Sequence, residues 1–256
     1  MTPCTSGQSV DERTVSVCVA TYNGQDFVEE QLTSILSQLR AQDEVIVVDD
    51  ASHDATVDIV RALQDSRIAV HARRDNLGHV ATFAEAIARS TGDVIILSDQ
   101  DDVWQPGRVA DALDHLQSSA LVASNFRNMP HPGGEPSPLV ATDRAGLPDL
   151  LALYAGKRAY YGSTMAFTRE FADVLLPLPR GTEAHDHWMA ILGIVDGSLA
   201  HSERVVVARR LHESNLSSRT RRALPALVRT RLTMVRLTLT ALARTRGRRA
   251  QEGRRP

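Results

Sequence analysis

The stretch Leu97-Ser98-Asp99-Gln100-Asp101-Asp102-Val103-Trp104 decides how the remaining sequence is read. It continues Val94-Ile95-Ile96-Leu97, a short β-rich apolar run bounded by Gly92-Asp93, which predicts a buried strand. Three carboxylates then arrive within four residues where that strand ends. In open α/β sheets ligands bind beyond the carboxyl ends of the strands, so these acids point at a crevice. Three crowded anions repel one another unless a cation lies between them. A hard divalent ion held by carboxylate oxygens, with positions left for substrate phosphates, supplies that cation. A lone Asp-x-Asp is more often a solvated turn, so the neighbouring segments carry the decision.

Upstream, Thr14 to Ala20 alternates around Val15, Val17 and Val19 and reads as a first strand, followed by the turn Thr21-Tyr22-Asn23-Gly24. Val28, Leu32, Ile35, Leu36 and Leu39 fall at helical spacing. A strand from Glu44 to Val48 ends on Asp49-Asp50. Ser52 or Asp54 then caps a helix bearing Val57, Val60 and Leu63. A strand at Ile68-Ala69-Val70, the loop Arg73 to Gly78 and a helix with Val80, Phe83, Ala84 and Ile87 complete the approach to the acids. This alternation with short connections predicts an α/β fold, a mostly parallel sheet flanked by helices, Rossmann-like in its first half. Downstream, a helix from Gly107 to Gln117 follows Pro106. A strand at Ala120 to Ala123 and a Pro/Gly-rich loop at 129–138 come next. A helix at Asp149 to Tyr154, a strand at Ser163 to Phe167 and a helix from Arg169 are expected after it. His185-Asp186-His187-Trp188 opens an apolar helix, and a last strand covers Arg204 to Ala208. There is no internal repeat.

Composition bounds the class. With 43% hydrophobic, 23% charged and 4% aromatic residues, the chain has the balance of a soluble α/β enzyme with one main domain. Cys4 and Cys18 do not make a disulfide framework; free thiols and a reducing, cytoplasmic setting are expected. No apolar run is long enough for a membrane span, and Met1 to Asp11 lacks the pattern of a signal peptide. The net charge of −2 hides an asymmetry. Residues 219–256 hold twelve of the 29 basic residues and only one acid, Glu252, leaving 17 basic and 30 acidic residues for 1–218. The expected layout is therefore a disordered tail at 1–13, one domain at 14–218 and a basic helical extension at 219–256. In that extension Leu224, Val228, Leu232, Val235, Leu239 and Leu242 share one face, with Arg222, Arg229, Arg236 and Arg244 on the other. Such a helix either packs its apolar face on the domain or lies on an anionic membrane, peripheral at the inner face of the plasma membrane. Nucleic acid is not expected, because no aromatic residue interleaves with the arginines.

The motifs Val19 to Gly24, Val47 to Asp54, Asn76-Leu77-Gly78 and Ser98 to Asp102 occur in that order at predicted strand ends. Together with Gly162 to Phe167, His185 to Trp188 and Arg210 to Asn215, they resemble family 2 glycosyltransferases of the GT-A fold, in the rhamnosyltransferase-like branch. The resemblance covers residues 14–218. It implies an inverting hexosyltransferase type of enzyme that moves a sugar, rhamnose or a related hexose, from a UDP- or dTDP-linked donor to an acceptor hydroxyl. The acceptor would be a glycan or a lipid-linked glycan in cell-envelope or surface polysaccharide synthesis. Mg²⁺ or Mn²⁺ would be held by Asp101 and Asp99, with Asp102 assisting and His212 reaching in from a C-terminal loop, as a Lewis acid at the leaving diphosphate. Thr21, Asn23 and Asp50, with Asp49 beside them, offer hydroxyl, amide and carboxylate groups that suit a pyrimidine and its ribose. Asn76, Gly78 and Asp99 would line the donor, and Arg210, with Arg209 as its competitor, would reach a phosphate. Gly162, Ser163 and Trp188 would face the acceptor. Asp186, at a predicted helix N-terminus where the macrodipole favours an anion, would be the base that takes the acceptor's proton. The family pattern more often reads Glu-Asp there; His185 precedes Asp186 in this chain.

Two alternatives stay in view. A sugar-phosphate nucleotidyltransferase also uses metal-binding acids on an α/β sheet, but a Gly-rich phosphate loop with a basic residue is then expected after the first strand. Thr21 to Asp26 lacks it, and lacks the G-x-G-x-x-G of a dinucleotide-binding fold. A non-catalytic GT-A scaffold docking through its basic helix is the other; the intact acids argue against it.

Overall fold

The computed structural model describes residues 12–129, 139–210 and 224–252. Four strands, β1 (Val15–Thr21), β2 (Glu44–Asp49), β3 (Ile68–Ala72) and β4 (Val94–Asp99), pair in parallel in the order β3-β2-β1-β4. They are joined by α1 (Val28–Leu36), α2 (Thr56–Ala62) and α3 (His79–Arg89). The alternation predicted these crossovers, because a parallel pair needs a long connection over one sheet face. Side chains of the strands divide between two cores. Val15, Val17, Val19, Val45, Val47, Val94 and Ile96 pack with α1 on one face. Cys18, Ile46, Val48, Ile95 and Leu97 pack with Phe83, Ala86 and Ile87 of α3 on the other. Strands buried on both faces read as continuous apolar runs, which is why they were legible. Cys18 is a buried free thiol, as expected, pushed up to about 12 by burial.

The second half departs from parallel geometry. After β5 (Val103–Trp104) and α4 (Arg108–His115) come β6 (Leu121–Met129), α5 (Leu147–Tyr154), a 3₁₀ turn at Gly162–Thr164, β7 (Met165–Thr168) and α6 (Arg169–Leu175). α7 (His185–Asp196) and β8 (Leu199–Arg210) follow. The sheet continues β4-β7-β6-β8-β5, with β7 antiparallel to both β4 and β6, and β5 antiparallel to β8. The sheet is thus parallel in its first half and mixed in its second. β8 begins five residues before the predicted Arg204, and two-residue β5 was not predicted at all. The segment Leu199-Ala200-His201-Ser202-Glu203 mixes polar and apolar residues, and a two-residue strand has no periodicity to detect.

The register positions the site. Thr21 of β1 lies opposite Asp49 of β2, and Ala20 opposite Asp99 of β4, so three parallel strands end at one level. Antiparallel pairing of Ile96 with Ala166 brings the turn before β7 back to the tip of β4. Pairing of Val103 with Ala208 brings the end of β8 to the loop that follows the acids.

The last element, α8 (Leu224–Glu252), packs along α7. It does so in the opposite sense to the sequence reading. Met234, Leu237 and Ala241 are buried in the core, whereas Val228, Leu232, Val235 and Leu239 face outward. Arginine clamps explain the inversion. The Arg244 guanidinium lies 5.2 Å from the centre of the Trp188 ring and donates to the carbonyls of Val174, Leu175 and Pro177 at 2.7, 2.9 and 2.6 Å. Two of those carbonyls close α6, where no intrahelical donor is available. Arg248 pairs with Asp196 at 2.5 Å and Arg229 with Glu183 at 3.1 Å.

Candidate active site

The tip of β4 is fastened from below before it carries any chemistry. Ser98 is buried and accepts hydrogen bonds from Gln31 of α1 and from the Trp104 indole, the latter at 3.1 Å. Arg108 is buried beneath it, donating to the carbonyls of Leu97 at 2.7 Å and Ser163 at 2.5 Å, with its guanidinium 4.2 Å from the centre of the Trp104 ring. Burial pulls Arg108 down to about 9, and the neighbouring Asp102 and Asp99 oppose that shift, so it remains a cation at neutral pH. Gln100 turns away from the acids. Its amide accepts from the Tyr22 N–H at 2.7 Å and donates to the Tyr22 carbonyl at 3.0 Å, tying β4 to the β1–α1 loop. A Cβ at Gly24 would sit 2.3 Å from the Gln100 oxygen, so this closure requires glycine.

Asp99, Asp101 and Asp102 come together at this tip, each offering an oxygen within 4.8 Å of the others. Burial, then the neighbouring Asp101 charge, raises Asp99 to about 6; Arg209 and a hydrogen bond from Ser163 work against the rise. Asp102 is pushed up to about 8, by burial first and by Asp99 and Asp101 next. One Asp102 oxygen, Oδ2, is buried with no hydrogen-bond partner among the described residues. A half-satisfied, mutually repelling carboxylate cluster is costly without a cation, so the residues present fit a divalent ion with oxygen ligands.

Asp186 is the second residue of α7, in its first turn, and its charge acts on both Asp99 and His79. It therefore stands within electrostatic reach of the acid cluster. Ala184 holds the N-cap position, so Asp186 does not serve as the capping residue. His185 anchors this end of the helix: its ring lies 4.5 Å from Phe83 and 5.7 Å from His79, and burial lowers it to about 4. Gly162 packs directly beneath, where a Cβ would come 2.3 Å from His185 Nε2.

The two aspartates after β2 are of another kind. Asp49 accepts from the Thr21 hydroxyl at 2.8 Å, the Ser52 N–H at 2.8 Å and the Ser52 hydroxyl at 2.5 Å. Asp50 accepts from Arg73 at 3.0 Å, Leu77 N–H at 2.9 Å and Gly78 N–H at 2.7 Å. Asn23 accepts from the His53 N–H at 2.9 Å. These groups build the rim from the loops 21–24, 50–54 and 73–78, with Asn76 exposed on it and Gly78 at φ 84°.

Several placements revise the sequence reading. Trp188 is fully buried, donates to the Leu175 carbonyl at 3.1 Å and cannot stack on a sugar. Gly162 and Ser163 are buried floor residues; Ser163 serves the acids from inside and presents no surface to an acceptor. Arg210 pairs with Glu30 at 2.5 Å, lies 5.2 Å from the Phe27 ring and donates to the Asp101 carbonyl at 3.4 Å, while the charge of Arg209 acts on Asp99 and Asp102. Alternation along β8 separates the two. His212 lies outside the described residues. Arg108 was missed, although it falls on the face that Val109, Ala112 and Leu113 define; a charge on an apolar stripe was the available signal.

A carboxylate cluster at the carboxyl ends of such a sheet is the arrangement of the GT-A fold. The sequence model of Glycosyl transferase family 2 matches residues 16–170. The chain belongs to that family. It is 31% identical over 112 residues to TuaG of Bacillus subtilis, a glycosyltransferase assigned to teichuronic acid biosynthesis, covering 43% of this chain and 44% of that protein. It is 29% identical over 110 residues to WfaP of Escherichia coli, a UDP-Glc:α-D-GlcNAc-diphosphoundecaprenol β-1,3-glucosyltransferase, covering 43% and 44%. The dTDP-rhamnosyl transferase RfbG of Shigella flexneri matches at 31% over 105 residues, covering 38% and 36%. Each match therefore spans less than half of the relative. Among solved structures, Staphylococcus aureus TarS with UDP-GlcNAc superposes with a TM-score of 0.71 at 19% identity, covering 87% of this chain and 66% of that one. The Pyrobaculum calidifontis mannosyltransferase PcManGT, bound to GDP-Man and Mn²⁺, gives 0.62 at 21%, covering 91% and 73%.

Proposed function

We propose that this protein is an inverting, metal-dependent glycosyltransferase of polysaccharide synthesis, using a nucleoside-diphosphate sugar and a lipid-linked or glycan acceptor on the cytoplasmic side of the envelope. The observation that carries the reading is the acid cluster at the tip of β4, with the charge of Asp186 on α7 acting on its Asp99. Asp101 and Asp99, with Asp102 behind them, would hold Mg²⁺ or Mn²⁺, which as a Lewis acid neutralises charge on the departing diphosphate. The rim at Thr21, Asn23, Asp50, Asn76 and Gly78 would receive the nucleoside, and Arg209 would supply the positive charge beside the phosphates. The Asp186 carboxylate takes the proton of the acceptor hydroxyl as that oxygen bonds to the anomeric carbon, while the bond from that carbon to the diphosphate breaks on the opposite face. One carboxylate suffices for this single displacement, which inverts the anomeric centre. The protein's own share is orientation: His185 packed between Phe83, His79 and Gly162 fixes the start of α7, and Arg108 fixes the floor. A thermal-shift panel of UDP-, dTDP- and GDP-sugars with and without Mn²⁺ tests the reading. One donor should raise the melting temperature only with metal; a panel with no metal-dependent donor overturns it.

A further inference from the structure

The outward face of α8 is apolar where a helix packed on a domain ordinarily shows polar residues. Leu232 and Leu239 are 66% and 62% exposed, Val228 and Val235 51% and 46%. These four residues form a ridge about 16 Å long at the rise of an α-helix. α5 extends it. The Tyr154 hydroxyl meets Thr238 of α8 at 2.7 Å, Arg231 lies against the turn at Gly156, and Leu151 and Leu147, one and two turns back from Tyr154, are 60% and 65% exposed. Arg229 and Arg236 border the ridge on one side and Arg231 on the other, with exposed Arg246 beyond its end. No carboxylate occurs on the helix before Glu252.

We infer that the ridge formed by α8 and α5 docks the protein on an anionic phospholipid surface. A second copy of this chain is disfavoured as the occupant, because ridge-to-ridge packing would set arginine borders against each other with no acid on α8 before Glu252 to pair them. Phospholipid phosphates supply the missing negative charge and the acyl boundary receives the leucines. The docking element is the leucine ridge, not the arginine face of the helix: Arg244 and Arg248 are spent on carbonyls and on Asp196 of the domain itself. The inference deepens the reading of the acceptor as lipid-linked, since docking would hold the cleft near a membrane-borne substrate.

The test is flotation of the full chain with phosphatidylglycerol–phosphatidylcholine vesicles and with phosphatidylcholine vesicles alone. The wild type should float with the anionic vesicles and be released by high salt. Replacing both outward leucines, L232E with L239E, should lower the partition coefficient about a hundredfold, with the melting temperature kept because neither residue is in the core. A wild type that does not float, equal binding to neutral vesicles, or unchanged flotation of the double variant overturns the inference. So does a wild-type dimer in sedimentation that the double variant dissolves. Metal-dependent donor hydrolysis in solution needs no membrane and separates the two readings. Hydrolysis without flotation removes only the docking, and flotation without hydrolysis removes only the catalytic assignment.

Discussion

Two groups of aspartates close two strands of the same sheet, β2 and β4, that flank β1 on either side, and they differ in what satisfies them. Asp49 and Asp50, after β2, are buried and each receives three hydrogen bonds from Thr21, Ser52, Arg73 and the backbone of Leu77 and Gly78. Asp99, Asp101 and Asp102, after β4, crowd one another, and burial raises two of them to about 6 and about 8. The first group spends its charge on architecture, whereas in the second the carboxylates act on one another. Consecutive aspartates at a strand end are thus not one motif with one meaning. The difference is made by what the following loop returns to them.

The largest effect should come from the group facing the open cluster. Asp186→Asn should reduce kcat about 10²- to 10⁴-fold with the donor KM little changed. Steady-state kinetics with donor and acceptor would show it, and near-normal turnover would remove Asp186 as the base. Next, the satisfied group should govern stability. Asp50→Ala removes one of the two carboxylates that pair with Arg73, Glu85 being the other, and frees two backbone donors, and should cost about 2 kcal/mol in urea unfolding. If Asp101→Asn were equally costly, the distinction between the two groups would fail. Third, Mn²⁺ at a hundredfold excess over its dissociation constant should add about 2.7 kcal/mol to the wild type. Asp101→Asn should abolish that gain and Asp50→Asn should not; calorimetry reads both.

The smallest effect concerns pH and a site built like the satisfied group. His201 is buried against the Tyr160 hydroxyl at 2.8 Å, and burial lowers it to about 4. The unfolded chain takes up its proton near pH 6.5, before the native state does. Its contribution is therefore full above that value and declines as pH falls toward 4. The slope is worth about 2 kcal/mol between pH 7 and pH 5. His201→Gln should flatten the pH profile of unfolding over that window, and an unchanged profile would place the titration elsewhere.

The sequence alone determined the parallel half of the fold and the acids that gather at its strand ends. Val15 to Ala20, Glu44 to Val48 and Val94 to Leu97 are buried on both faces, so each reads as a strand without help from its neighbours, and the acids that follow two of them mark where those strands end. Asp186 at the start of a helix was legible for the same local reason. Only the tertiary structure decided which polar groups remain free. Arg108 under the acids and the charge of Arg209 on the carboxylates depend on antiparallel pairings among β4, β5, β7 and β8, Gln100 closing on Gly24 on the parallel pairing of β1 with β4, and Trp188 sealed inside on the packing of α7 against α6 and α8. Those pairings join residues far apart in the chain, and no local periodicity encodes them. The same holds for α8, whose apolar spacing defines a face but not its direction. Carbonyls at the end of α6 and the Trp188 ring drew Arg244 inward, and that turned the leucines out.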